Sequence, residues 1–129
     1  MKIKTAIITG GAGFIGINLY RKIVDNYEKI ICIDNFSLGK LDFLNKYKNS
    51  PKLKIIEADC SNIKAMKNIV KQLIEEDHFG DVWHLAANSD IPSGVVNANV
   101  DLKDTFMTTF SILESIKNTA FDSFYFASS

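Results

Sequence analysis

A chain of 129 residues with 47% apolar side chains is long enough to bury one real core and is neither disordered nor collagen-like in composition. Fifteen basic residues cancel fifteen acidic ones, so no long-range field argues for nucleic acid or an anionic membrane as a partner. The apolar run from Ile3 to Ile8 breaks at Gly10 and Gly11, too short to span a bilayer and without a signal peptide's cleavage region, so a soluble protein is expected.

Taken in chain order, β-branched runs alternate with stretches of helical period. Ile3–Thr9 reads as a first strand. From Phe14 the apolar residues Ile15, Leu19 and Ile23 recur every fourth position and mark one helical stripe. Lys29–Asp34 reads as a second strand, followed by a shorter helical piece carrying Leu41, Leu44 and Tyr47 that runs to Pro51, and Leu53–Ala58 as a third strand. Met66, Ile69, Val70, Leu73 and Ile74 follow the i, i+3, i+4, i+7, i+8 pattern of a helix that Asn62 or Ser61 can cap. Asp81–Ala87 is the fourth strand, about Asn99 to Lys117 a long helix, and Phe121–Ala127 the fifth strand.

Strand–helix alternation with short connections predicts an α/β fold: a Rossmann-type, doubly wound parallel sheet of five strands, in one domain over residues 1–129. Such strands are buried on both faces and read as continuous apolar runs. On the long helix, Leu102, Phe106, Phe110, Ile112, Leu113 and Ile116 spread over a broad face that includes Thr105 and Thr109, with Asp104, Ser111 and Ser115 opposite. Two readings fit that breadth: a helix sunk between the sheet and a neighbouring element, or one that also meets a second subunit. Cys32 and Cys60 lack the closely spaced second cysteine of a metal site. Two buried free thiols in a reducing cytoplasm, and no metal, are expected.

The segment between the first strand and first helix carries the chemistry. Gly10, Gly13 and Gly16 form G-x-x-G-x-x-G, which supplies a tight turn, an approach for backbone amides to an anion, and close helix–strand packing. Unpaired amides at the helix start, backed by the helix dipole, favour a phosphate. No Lys-Ser or Lys-Thr follows the glycines, which excludes a nucleoside-triphosphate P-loop. Asp34 closes the second strand about twenty residues on, where a carboxylate accepts hydrogen bonds from a ribose 2′-hydroxyl and repels a 2′-phosphate, so NAD is expected over NADP. Asp59, at the end of the third strand, can receive the adenine amino group or cap the next helix. His84, inside a buried strand, reads as a core residue.

Together these residues resemble the extended short-chain dehydrogenase/reductase family, in particular its NAD-dependent epimerases and dehydratases. The motifs lie in order along the whole chain: ITGGAGFIG within residues 7–16, IDN at 33–35, AD at 58–59, HLAA at 84–87, LES at 113–115 and FASS at 126–129. The resemblance implies that Gly10, Gly13, Phe14, Ile15 and Gly16 hold a pyrophosphate. Asp34 and Asn35, assisted by Ser37 and Lys40, would face the adenosine ribose, Asp59 and Cys60 would flank the adenine, and Leu85, Ala86 and Ala87 would line the path to the nicotinamide. Ser129 falls where the family places the Ser or Thr of its catalytic set. The Tyr and Lys of that set belong to a Y-x-x-x-K helix some two dozen residues further on, and Tyr20, Tyr27, Tyr47 and Tyr125 are not placed to substitute, Tyr125 being expected to point into packing.

The resemblance also implies an N-terminal portion whose catalytic helix and substrate domain are absent, inactive on its own. In the whole protein, NAD would take a hydride from a sugar carbon of a nucleotide-sugar substrate and return it, with a homodimer as the expected assembly. Two positions depart from many epimerases: Thr105 stands where they carry Asn on the long helix, and Ser89 where they carry Lys two residues past the HLAA-type motif. Ser89 brings no positive charge near the nicotinamide, which puts UDP-galactose/UDP-glucose epimerisation specifically in doubt. A non-catalytic NAD-sensing module and a flavodoxin-like mononucleotide domain are the competing readings. The fifth strand, with Phe121, Phe124, Tyr125 and Phe126, is expected to be an exposed edge that drives self-association.

Overall fold

The computed structural model describes residues 3–38, 40–76 and 79–128. Its strands are β1 (Ile3–Thr9), β2 (Tyr27–Asp34), β3 (Leu53–Glu57), β4 (Phe79–His84) and β5 (Ser123–Phe126). All pair in parallel, in the spatial order β3-β2-β1-β4-β5. The helices are α1 (Phe14–Ile23), α2 (Leu41–Asn45), α3 (Ile63–Glu76), α4 (Ile91–Val96), α5 (Ala98–Asp101) and α6 (Thr108–Ile116), with a π-helical turn at Leu102–Met107 joining the last two.

Strand alternation decides what each face buries. β1 sends Ile7 to one side, where it meets Ile31, Ile33 and Val82 under α3 and α6. It sends Ala6 and Ile8 to the other, with Ile30 and Cys32 under Tyr20 and Ile23 of α1 and Leu44 of α2. Both faces of the central strands are therefore dry, as the doubly wound reading requires. Asn62 caps α3, its Oδ1 accepting from the Ala65 amide at 3.0 Å, while Met66, Val70 and Leu73 are buried. Ile74, placed on the same stripe by period, stays 43% exposed at the helix's far end.

Four expectations are corrected. β4 ends at His84, not Ala87, because the chain leaves the ladder there: the Ala86 amide donates to the Thr9 side chain at 3.2 Å instead of to a strand carbonyl. The piece after β2 is helical only over Leu41–Asn45 and continues to Pro51 as turns. Tyr125 does not point into packing; it lies on the indole of Trp83 with centroids 3.9 Å apart and keeps 43% of its surface exposed.

The long helix is the fourth. A π turn holds one residue more than an α turn and so rotates the helix face. Ser111, expected opposite the apolar side, is fully buried beside Ile112 and Ile116 where α6 packs on α3. Leu102, Phe106, Phe110 and Leu113 are instead 54%, 60%, 42% and 44% exposed. Helix α4 was not anticipated; Asp90 caps it by accepting from the Ser93 amide at 3.2 Å, with Pro92 in its first turn. Among the described residues no helix is long and apolar enough to cross a membrane, and no cluster of His, Cys, Asp or Glu is suited to a metal ion.

Candidate functional site

In this strand order the chain winds outward from β1 in both directions, to β2 and β3 on one side and to β4 and β5 on the other. The connections after β1 and β4 diverge, and a crevice opens at the carboxyl ends of those strands. A cleft of about 410 Å³ lies there, within the usual range for a small-molecule site.

Its floor is the glycine turn. Gly10 has φ of 71°, and a β-carbon there would sit 2.8 Å from the Ala86 nitrogen. Gly16 closes on the same turn, where a β-carbon would meet the Gly10 oxygen at 2.6 Å. Gly13 is the N-cap of α1 and has no side chain to cap with. Its carbonyl accepts from Ile17, so the amides of the helix's first turn face the cleft with the positive end of the helix dipole behind them. Phe14 and Ile15, 76% and 66% exposed, stand at the rim.

Asp34 sits across from these amides and has a structural task that the sequence did not reveal. Its Oδ2 accepts from the Ala12 amide at 3.0 Å and its Oδ1 from the Phe36 amide at 2.8 Å. One carboxylate thus fixes the glycine turn and the β2 exit together. Phe36 takes φ of 59° to make that bond, a left-handed conformation uncommon for an aromatic residue. Each carboxylate oxygen has a second lone pair, and Asp34 still lines the cleft.

Asp59 is also engaged. Its Oδ1 accepts from the Ser61 amide and hydroxyl at 2.9 and 2.6 Å, and its Oδ2 lies 3.5 Å from Lys103 on the π turn. Burial pushes the Asp59 carboxyl up, but Ser61 and the Lys103 ammonium outweigh it and hold the group below the usual range. Burial pushes the thiols of Cys32 and Cys60 up to about 12, so both stay protonated and inert.

The wall formed by β4's exit is held by threonines. Thr9 Oγ1 accepts from the Leu85 and Ala86 amides, both at 3.2 Å. Thr108 Oγ1 lies 2.9 Å from the Ala86 carbonyl and shares its one proton between it and the Asp104 and Thr105 carbonyls, at 2.8 and 3.0 Å, and Thr105 Oγ1 accepts from the Asn88 amide at 3.0 Å. His84 lies behind this wall, 2% exposed, with Thr9 and Thr109 at its two ring nitrogens.

Gly10, Gly13, Phe14, Ile15, Gly16, Asp34, Asn35, Ser37, Asp59, Cys60, Leu85, Ala86 and Ala87 all line this one cleft. Lys40 and Thr105 do not. Lys40 backs the glycine turn through its amide, which donates to the Ala12 carbonyl at 3.1 Å, and Thr105 supports the wall from outside. Ser129 lies outside the described residues. Leu38, Asp104, Thr108 and Ala127 also line the cleft and were missed, and Ser89, read only as a departure near the nicotinamide, lines it too. Thr108 had a weak signal, as a hydroxyl next to Thr109 on a helix otherwise read for its apolar residues.

Comparison with known proteins points the same way. The family model described as GDP-mannose 4,6 dehydratase matches residues 7–129. A dTDP-glucose 4,6-dehydratase of Shigella flexneri is 30% identical over 115 residues, which cover 87% of this chain and 30% of the relative. Among solved structures, the UDP-N-acetylglucosamine 4-epimerase of Methanobrevibacter ruminantium M1, in complex with UDP-N-acetylmuramic acid, superposes with a TM-score of 0.75 at 30% identity, covering 92% of this chain and 35% of that one. The Bordetella bronchiseptica enzyme WbmF, in complex with NAD+ and UDP, shares the fold with a TM-score of 0.80 at 19% identity, covering 95% and 35%. The chain spans between 17% and 40% of the length of the curated relatives it matches.

Proposed function

The chain belongs to the GDP-mannose 4,6 dehydratase family, and from that premise we propose that it is the NAD-binding portion of a nucleotide-sugar epimerase or dehydratase. The observation that carries this reading is the placement of uncapped amides at the start of α1 and the Asp34 carboxylate around one cleft. An anion and a ribose joined by a phosphodiester linkage match that pair. Glycine at 13, the N-cap of α1, leaves no side chain between the helix amides and a ligand, so the residues present fit a dinucleotide.

NAD held there would supply a hydride acceptor and donor. The chain's own residues do the rest. The first-turn amides of α1 bind the pyrophosphate, the free lone pairs of Asp34 accept the ribose hydroxyls, and the flat wall of Ala86 and Ala87 leaves room for a planar ring. The relatives named as epimerases and dehydratases favour an enzyme over a sensor. Their greater length supports reading residues 1–129 as the cofactor-binding domain of a longer protein, with the Y-x-x-x-K pair and the substrate domain supplied outside them. The 129 residues contain no such pair, so alone they bind NAD without turning over a nucleotide sugar. Two buried free thiols accord with a cytoplasmic location.

Titration with NAD tests the assignment. Asp34→Asn replaces one acceptor oxygen with a donor and removes the charge, and is expected to weaken NAD binding about 10- to 100-fold, as loss of charge-assisted hydrogen bonds does. Wild type is expected to prefer NAD to NADP. Equal affinity of wild type and Asp34→Ala, or no NAD complex with wild type, rejects the reading.

The assembly we infer is a homodimer through the exposed stripe Leu102, Phe106, Phe110 and Leu113. Phe106 and Phe110 lie ring-parallel at 6.4 Å and present a flat apolar surface. Sedimentation is expected to show dimers that the double variant Phe106→Glu, Phe110→Glu converts to monomers. A monomeric wild type at high concentration rejects this assembly.

A further inference from the structure

We propose that His84 is a positioning residue for the cleft: as a neutral ring with its proton on Nε2, it ties Thr9, which holds the turn that walls the cleft, to Thr109 at the start of α6. This role rests on reading the cleft as an NAD site and extends that reading to a residue that touches no ligand.

The tautomer follows from counting protons at both ends. A threonine hydroxyl has one proton and two lone pairs. Thr9 Oγ1 accepts from the Ala86 amide and shares the Leu85 amide with the Thr9 carbonyl, which lies closer at 3.0 Å; the acceptor in reach of its own proton is His84 Nδ1, 2.6 Å away. Nδ1 must therefore be bare. At the other end, Thr109 Oγ1 donates its proton to the Thr105 carbonyl at 3.0 Å, and its lone pair is left for a proton on His84 Nε2, 2.9 Å away. With Nδ1 bare, a neutral ring carries its proton on Nε2, where Thr109 is placed to accept it. Phe124 and Phe126 stack beside the imidazole at 6.0 Å, with interplanar angles of 24° and 16°, and hold it against rotation.

The consequence for the cleft comes from what the chain of bonds restrains. Ala86 is held at its amide by Thr9, and its carbonyl shares the Thr108 hydroxyl with two carbonyls of the long helix. Gly10 approaches it so closely that no β-carbon fits between. A small shift of this wall changes the space over the glycine turn, where the ligand lies. His84 joins the two sides of that clamp, β1 through Thr9 and the helix through Thr109 and Thr105. A side chain of similar shape without the two nitrogens would pack as well but leave the wall free to move.

The test combines nitrogen-15 NMR of the ring with NAD titration and thermal unfolding. The wild-type ring is expected to carry its proton on Nε2 at neutral pH; a proton on Nδ1, or a charged ring, overturns the assignment. Thr109→Val removes the bond to His84 together with the hydroxyl's local bond to the Thr105 carbonyl on its own helix, and is expected to raise the NAD dissociation constant roughly three- to tenfold, the loss typical of one hydrogen bond, with little change in the unfolding midpoint. Thr109→Ser, which keeps the hydroxyl, is expected to restore wild-type affinity. His84→Phe should lose more affinity than Thr109→Val, and His84→Gln, which keeps one acceptor and one donor, should fall between Phe and wild type. If His84→Phe does not fold, the Thr109 pair carries the test. Unchanged NAD affinity in Thr109→Val with a wild type that binds overturns the positioning role. A wild type that binds no NAD removes the cofactor reading and the role with it, and the ring tautomer, read separately, tells the two failures apart.

Discussion

Gly10→Ala is expected to abolish measurable NAD binding and to cost about 2–4 kcal/mol of stability, from a left-handed backbone at a non-glycine residue and from overpacking. The backbone at Gly10 has φ of 71°, and the added carbon would face the Ala86 nitrogen at 2.8 Å and the Ala86 Cα and Leu85 carbonyl carbon at 3.0 Å. These are backbone atoms, held in place by Thr9 and Thr108, so no flexible side chain can swing aside. Either the glycine turn or the wall must move, and both line the cleft. Gly13→Ala is the control. A β-carbon there meets only the Gly10 oxygen, at an ordinary 3.5 Å, so the fold should tolerate it while the helix start loses room for a ligand. Urea denaturation and calorimetric titration of the two variants separate the effects. A Gly10→Ala protein with wild-type stability and affinity would refute this account of the turn.

The second large effect is acid sensitivity. An imidazole in the unfolded chain titrates near 6.5, whereas burial pushes His84 down to about 4. Between these values the unfolded state binds more protons than the native one, so stability falls as pH falls. The contribution is fully present above pH 6.5 and lost as pH drops through about 4, a difference of about 3 kcal/mol. Urea midpoints across this window should fall steeply for wild type and much less for His84→Gln, which has no proton to take up there. Asp59 acts in a separate range: its carboxyl is held below the usual 3.8, so its share is lost only in stronger acid. A wild type with flat stability from pH 6.5 to about 4 would mean that His84 is not held neutral by burial.

The parts of this fold legible in the sequence were those set by period and by backbone need. Ile7, Ile31 and Ile33 gave continuous apolar strands because both faces are covered, and Gly10, Gly13 and Gly16 stood out because a turn this tight excludes a β-carbon. What stayed hidden depends on partners distant in sequence. Nothing local says that Asp34 accepts from Ala12, 22 residues earlier, or that Thr9 meets His84 across 75 residues. The π turn was illegible for another reason: the one-residue insertion leaves the apolar residues in place and changes only their phase, which put Ser111 on the wrong side. Helix α4 was within reach, since Asp90-Ile91-Pro92 is a cap followed by a proline at the helix start. Its exposed Ile91, Val95 and Val96 blurred the periodic stripe that would have marked it.

The stack of Trp83 on Tyr125 gives the protein a built-in optical reporter. Trp83 is the sole tryptophan in the chain, its indole donates to the Tyr27 hydroxyl at 3.1 Å, and it immediately precedes His84 on β4. Its emission is therefore sensitive to β5 peeling away from the sheet and to strain arriving from the cleft, with no dye attached.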